Sequence, residues 1–259
     1  MIRFLRNHPY IVTGFLLLAA WYLVTRVGWV GKSLLASPLE VAVVLADGFN
    51  PAGPANAVYH HAWDTAVRGL AGWSIALGLG SLAGLLMGMN SIIYRAWEPV
   101  VEFARAIPPI MAFPLLLVAC DFGPTAYVWT IAIGCLPIMM LSVSRGIQHM
   151  DHSRLDLLAM HGASRQLRIA ISVIEIMPAT LFGARLTFSI SLIVAIVTEM
   201  VFSPRSGFAL GALAKDSQIS FDTPTFYACI LILGIYGYSA NALIRHCEWR
   251  LAGELHRAS

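Results

Sequence analysis

Charge is what this sequence has least of. Only 12% of its 259 residues are Asp, Glu, Lys or Arg, about half of the roughly 25% found in soluble domains. Hydrophobic residues make up 58% of the chain, and its mean hydropathy is +0.72. The apolar residues fall in long blocks, which excludes an ordinary soluble domain and points to an all-helical, polytopic membrane protein. The net charge of +3 is small, and no nucleic-acid partner is expected. Cysteine is sparse as well: Cys120, Cys135, Cys229 and Cys247 lie far apart, without CxxC or zinc-ligand spacing, and are expected as buried or free thiols.

Ionisable residues are nearly missing from the apolar blocks. A membrane enzyme or ion pump places such residues at mid-membrane depth, and here Glu199 is the clearest case, near one end of a block. His149 and His152 with Asp151 form an HxxH cluster without a third fixed ligand, so no metal site is expected. No nucleophile and base pair up, so no catalytic residue is expected. The "GKS" at 31–33 is not a phosphate loop, because Arg26 stands where that loop needs a glycine. Nor is the first apolar run a cleaved leader: Leu18 occupies the −3 position before the one candidate cleavage point, and the run reads as a retained span. If such a chain moves a solute uphill, the energy comes from another subunit.

Six segments approach the 20 apolar residues that a spanning helix needs: about 10–30, 67–89, 104–120, 124–143, 179–202 and 223–244. The third and fourth are separated by "DFGP" alone and form a tight hairpin. The cations orient them. With the N-terminus inside, twelve of the seventeen fall on inner segments (Arg3, Arg6, Arg95, Arg105, Arg145, Arg154, Arg165, Arg168, Arg185, Arg245, Arg250, Arg257) and five on outer ones (Arg26, Lys32, Arg68, Arg205, Lys215). That imbalance puts both termini and the 144–178 loop in the cytoplasm. Gly80, Gly84 and Gly88 recur every four residues on one helix face, where a neighbouring backbone approaches closely in a bundle or a dimer. In the long outer loop, Ser37, Pro38 and Glu40 form a capping box that opens a short amphipathic helix.

The central loop carries "LDLLAMHGASRQLRIAISVIEIMP", residues 155–178, too charged for lipid and too apolar for a solvated loop. Asp151 and Ser153 are helix caps, Gly162 suits the left-handed residue that ends a helix, Ser164 caps the next helix, and Pro178 stands at the fifth span's entry. Arg165 and Arg168 share one face of that second helix. Two uses fit: an amphipathic helix on the lipid surface, or an apolar knob docked in a groove of a cytoplasmic partner.

This stretch resembles the cytoplasmic EAA loop of permease subunits of ABC importers. Asp156-Leu157-Leu158 stands at the EAA position, Gly162 matches the loop glycine, and Gly183 and Arg185 in "PATLFGARL" match the Gly-x-Arg that follows. EAA is reduced to the single acid Asp156, and Ile174 or Glu175 replaces the first of two prolines. "ASPLEV", "RAIPPIMAFPLLLV", "CLPIMMLSVSRGI" and "TEMVFSPRSGFALG" are similar, in order, to elements of the nitrate/sulfonate/taurine-type permeases, over about residues 35–245. Phe208 and Ala209 depart from the usual second glycine of the last element.

The resemblance implies a type I importer permease fold of six transmembrane helices, as one domain over residues 1–259 in a bacterial inner membrane. It implies a second copy of the chain, two cytoplasmic ABC ATPases that carry the ATP and Mg²⁺, and a periplasmic or surface substrate-binding protein. No cofactor is expected on this chain. The ATPase-coupling residues would be Asp156, Ala159, His161, Gly162, Ala163, Ser164, Arg165 and Arg168. The translocation path is expected past Thr187, Ser189, Ser191 and Glu199. The alternative for the three hydroxyls, and the more common one for such residues, is a bond to a carbonyl of their own helix, and Glu199 meets either the solute or the outer loop. Arg205 and Lys215 are candidates for a basic outer gate. The cargo is expected to be a small anion such as taurine, an alkanesulfonate or nitrate; bicarbonate, a pyrimidine precursor or an aromatic acid are the alternatives. An ion-coupled secondary transporter is the rival class, and it would show mid-membrane acids or paired repeats.

Overall fold

The structure is a computed structural model that describes residues 9–48, 56–150, 160–162, 164–204 and 207–258, with side chains except at 9–11, 56–57, 165, 168–170, 247 and 249–258. All regular elements among these residues are helical: α1 Pro9–Val27, α2 Pro38–Gly48, α3 Asn56–Gly88, α4 Ser91–Ala106, a 3-10 turn Pro109–Ala112, α5 Phe113–Ala119, α6 Thr125–Gln148, α7 Arg165–Val201, α8 Leu210–Ile219 and α9 Thr223–Ala258. The helices follow from the hydrocarbon environment, where a backbone must satisfy its own hydrogen bonds.

Four described helices are long and apolar enough to span: Val58–Gly88, Thr125–Gln148, Ile171–Val201 and Thr223–His246. The expected count of six is not reached by that measure. Counting α4 with the segment from Pro109 to Ala119 as one broken span brings it to five, and the remaining candidate is the shorter apolar stretch Val12–Val27. Residues 104–120 do not form one helix. α4 stops at Ala106, Ile107 and Pro108 are extended, and the chain turns by 85°. The Pro108-Pro109 pair explains the break: a proline pushes the residue before it out of the helical region and supplies no amide. The opposite deviation occurs at Pro178. Instead of a separate cytoplasmic helix and a new span, α7 runs unbroken from Arg165 to Val201 through that proline. Membrane helices accept a proline where neighbouring turns hold the freed carbonyl.

The chain forms two compact units, one of Met1–Thr65 with Glu199–Gly234, the other of Ala66–Thr198 with Ile235–Ser259. In the second, α3 packs on α6 along the expected glycine face. A methyl group added at Gly80 would lie 2.8 Å from Met139 Cβ, at Gly84 2.5 Å from the Met140 carbonyl, and at Gly88 2.8 Å from Ile147 Cδ1. The face extends further than the sequence indicated: Gly72 is as tight against Ile131, and buried Ala76 fills the step between in a cluster with Ile131, Cys135, Val194 and Ala195. The contact is thus a helix pair within the chain. Gly183 against Ser142 and Gly146 against Ala179 bring α7 onto α6 in the same way, at 2.6 and 2.7 Å. Trp73 Nε1 adds a bond of 3.0 Å from α3 to the Ala184 carbonyl.

The hairpin between α5 and α6 turns on two residues with positive φ, Asp121 at 49° and Phe122 at 58°. In the first unit, α2 opens with the capping box: Glu40 N–H donates to Ser37 Oγ at 3.3 Å, and Ser37 N–H donates to Glu40 Oε2 at 2.8 Å. Val41 of this helix is buried with Ala36 and Ala228 beside Trp21, whose Nε1 donates to the Ala36 carbonyl at 2.9 Å.

Candidate functional site

The functional residues singled out in the sequence fall into three places along α7 and its flanks. At its start, Gly162 has φ +72°, a left-handed conformation that a side chain disfavours. Ser164 Oγ then accepts the Leu167 amide at 3.3 Å, which caps α7 at Arg165. His161 and Gly162 are exposed. Asp156, Ala159 and Ala163 lie outside the described residues, as do the side chains of Arg165 and Arg168.

Midway along α7, each of three hydroxyls bonds a carbonyl of its own helix. Thr187 Oγ1 is fully buried, donates to Gly183 O at 2.8 Å and accepts from Trp73 Nε1 at 3.2 Å. Ser191, also buried, donates to Phe188 O at 2.7 Å, and half-buried Ser189 reaches Arg185 O at 3.4 Å. A hydroxyl that bonds its helix spares the membrane an unmet polar group.

At the far end, Glu199 is fully buried. Its Oε2 accepts the Thr65 hydroxyl at 2.9 Å and the Gly211 amide at 3.0 Å. These bonds belong to a larger set. The amides of Phe208, Ala209, Leu210 and Gly211 donate in turn to Asp64 Oδ2, His61 Nδ1, Thr65 Oγ1 and Glu199 Oε2, at 3.1, 2.8, 2.8 and 3.0 Å. His61, Asp64 and Thr65 are spaced i, i+3, i+4, so one face of α3 presents all three acceptors. The first turn of a helix leaves amides without internal partners, and here side chains from α3 and α7 supply them for α8. Gly207, with φ +86°, lets the chain turn in close beside Asp64. Lys215 is half-buried on α8, and Arg205 lies outside the described residues.

Sequence reasoning missed two features. The first is the role of His61, Asp64 and Thr65, for which an isolated polar patch at helical spacing was the available signal. The second is an ionic cluster between α4 and α6. Arg145 pairs with Glu98 at 3.4 Å and with Glu102, Arg105 also pairs with Glu102, and Tyr94 Oη donates to Glu98 at 2.6 Å. The spacing of Tyr94, Glu98, Glu102 and Arg105 along one helix face was legible. Next to this cluster an open cleft of about 430 Å³ is lined by Arg105, Arg145, His149 and Ser142 on one side and Phe182 and Leu186 on another. Among the described residues, no three His, Cys, Asp or Glu side chains group to hold a metal ion.

A bundle of long apolar helices, packed through glycine faces and carrying hydroxyls bonded to their own carbonyls, has the make-up of a polytopic membrane protein. Residues 76–253 match the model of the family described as binding-protein-dependent transport system inner membrane component, and the chain belongs to that family. A probable ABC transporter permease protein of Brucella abortus is 25% identical over 93% of this chain and 93% of its own. The taurine transport system permease protein of Escherichia coli is 22% identical over 91% of this chain and 85% of its own. Among solved structures, an inward-facing conformation of the MetNI methionine ABC transporter superposes with a TM-score of 0.61, at 18% identity, over 73% of this chain and 91% of that one, and shares the fold. By the family's description, its members are the inner-membrane components of transport systems that depend on a binding protein.

Proposed function

We propose that this chain forms the translocation path of an ATP-driven importer for a small anion of the sulfonate class. The observation that carries the reading is the likeness to a taurine permease over nine-tenths of the chain. Two copies would enclose the path, with both termini and the 144–178 loop in the cytoplasm, where two ATPases bind ATP and Mg²⁺. The stretch from Asp156 to Arg168 would seat in an ATPase groove. The left-handed Gly162 and the capped start of α7 support this: an unbroken helix from Arg165 to Val201 is a stiff rod that carries a push at its cytoplasmic end into the bundle. Half-buried Ser189 would border the path, buried Thr187, Ser191 and Glu199 would support its wall from within the chain, and Arg205 and Lys215 would flank its outer entrance. A solute pre-selected by a binding protein needs weak contacts on the way, since tight binding would hinder its release.

Proteoliposomes containing the chain, its ATPase and its binding protein test this. ATP-dependent accumulation of taurine or an alkanesulfonate is expected. Accumulation driven by an ion gradient without ATP would overturn the mechanism. ATP-dependent uptake of bicarbonate or an aromatic acid, with taurine excluded, would overturn the cargo class alone.

A further inference from the structure

We propose that α4 is not half of a transmembrane segment but an interfacial helix, lying flat at the headgroup boundary of the bilayer with one face in the acyl chains. The distribution of side chains around Ser91–Ala106 divides cleanly. Tyr94, Arg95, Glu98, Glu102 and Arg105 occupy one half of the helix circumference. Ile92, Trp97, Val100 and Phe103 occupy the other half and are 74%, 55%, 52% and 71% exposed. A helix with one charged face and one broad apolar face, of low overall hydrophobicity, lies in the interface plane.

Three further observations favour that placement. The chain turns by 85° between α4 and the following segment, so the two cannot both run along the bilayer normal. The polar half packs against the Gln148 end of α6, where Arg145 meets Glu98 and Glu102 and buried Val101 meets Leu141. That end of a 24-residue helix reaches the membrane surface, since about 20 residues span the hydrocarbon. Charge also fits. The two glutamates are balanced by Arg145 and Arg105, while exposed Arg95 stays on the polar half, in reach of anionic headgroups. Asn90 Oδ1, which accepts the amides of Ile92 and Ile93 at 2.8 and 3.3 Å, fixes where the helix starts.

Nitroxide labels placed singly at Ile92, Val100 and Phe103, in the full chain with its cysteines replaced and reconstituted in proteoliposomes, test the proposal through relative collision rates with oxygen and a water-soluble nickel chelate. The expected result is one shared depth for all three, about 5–10 Å below the headgroup level. Two results would overturn it. A depth that grows from Ile92 to Phe103 by about 16 Å, the rise of eleven helical residues, would make α4 part of a span. Shielding of all three from oxygen would mean that protein, such as a second copy of the chain, covers the face. If the cysteine-free chain does not assemble, Trp97 in the native chain serves instead. Lipid brominated near the headgroup should quench a fluorescence component that disappears in Trp97→Phe, and stronger quenching by bromine at the chain ends would refute the proposal.

Discussion

The Thr65 hydroxyl meets the Glu199 carboxylate at 2.9 Å across 134 positions of sequence, and accepts the Leu210 amide at 2.8 Å on its other side. One side chain thus joins α3, α7 and the start of α8 in a single buried chain of hydrogen bonds.

That geometry makes Thr65→Val costly, although the shapes are nearly equal. The change takes a donor from a buried carboxylate that keeps the Gly211 amide, and it takes the Leu210 amide's acceptor, a loss of about 1–3 kcal/mol for a buried group left unmet. Thermal unfolding of the purified chain in detergent should show a clear drop in midpoint. Thr65→Ser, which keeps the hydroxyl, should stay close to the parent, and Glu199→Gln should fall between. In a double-mutant cycle, Thr65→Val and Glu199→Ala should be strongly non-additive.

Glycines on α3 should respond according to the space each faces. Gly84→Ala puts a methyl group 2.5 Å from the Met140 carbonyl, a backbone atom that cannot step aside. Separation of the helix pair should destabilise the chain by about 1–3 kcal/mol. Gly78→Ala meets nothing within 4 Å and raises helix propensity. It should be neutral or stabilising by up to about 1 kcal/mol. Unfolding midpoints of the two variants, compared side by side, check both signs.

Gly162 also has open space around it, but φ +72° makes a β-branched residue strained there whatever the space. Gly162→Val is expected to leave assembly intact while uncoupling ATP hydrolysis from uptake in the reconstituted importer. Parent-level uptake per ATP hydrolysed would remove the coupling role assigned to this bend.

The capping box of α2 should be sensitive to acid. The amide and hydroxyl of Ser37 hold the Glu40 carboxyl below its usual value of 4.5. A carboxylate lowered on folding stabilises the folded form above its unfolded pKa, and the contribution fades as pH falls through the lower folded pKa. Amide exchange in the first turn of α2, corrected for intrinsic rates, should therefore lose protection as pH falls below the usual carboxyl value of 4.5 and through the lower folded one. Glu40→Gln should flatten that dependence. Because Glu40 is exposed, the effect stays local to this turn.

Much of this was legible before any coordinates. Ser37, Pro38 and Glu40 announced their helix because a capping box is local chemistry, complete within four residues. The glycine repeat announced a close helix contact, but not its partner. That required knowing that Met139, Met140 and Ile147 of α6 line the opposite side, and periodicity on one helix carries no information about its neighbour. The third span was misjudged for a related reason: hydropathy sums residues 104–120 without seeing that Pro108-Pro109 redirects the axis. The Glu199 site was half legible. An acid in an apolar block marks a place worth attention, but its acceptor role for the start of α8 joins residues from distant parts of the chain.

The sequence by itself determined the environment and the all-helical class of this protein, because the need to satisfy every backbone group in lipid turns long apolar blocks into helices. Tertiary structure alone decided which glycine meets which carbonyl, which carboxylate caps which amide, and the 85° by which the chain turns after Ala106. Those choices depend on distances of a few ångström between residues far apart in the chain, and no local pattern encodes such distances.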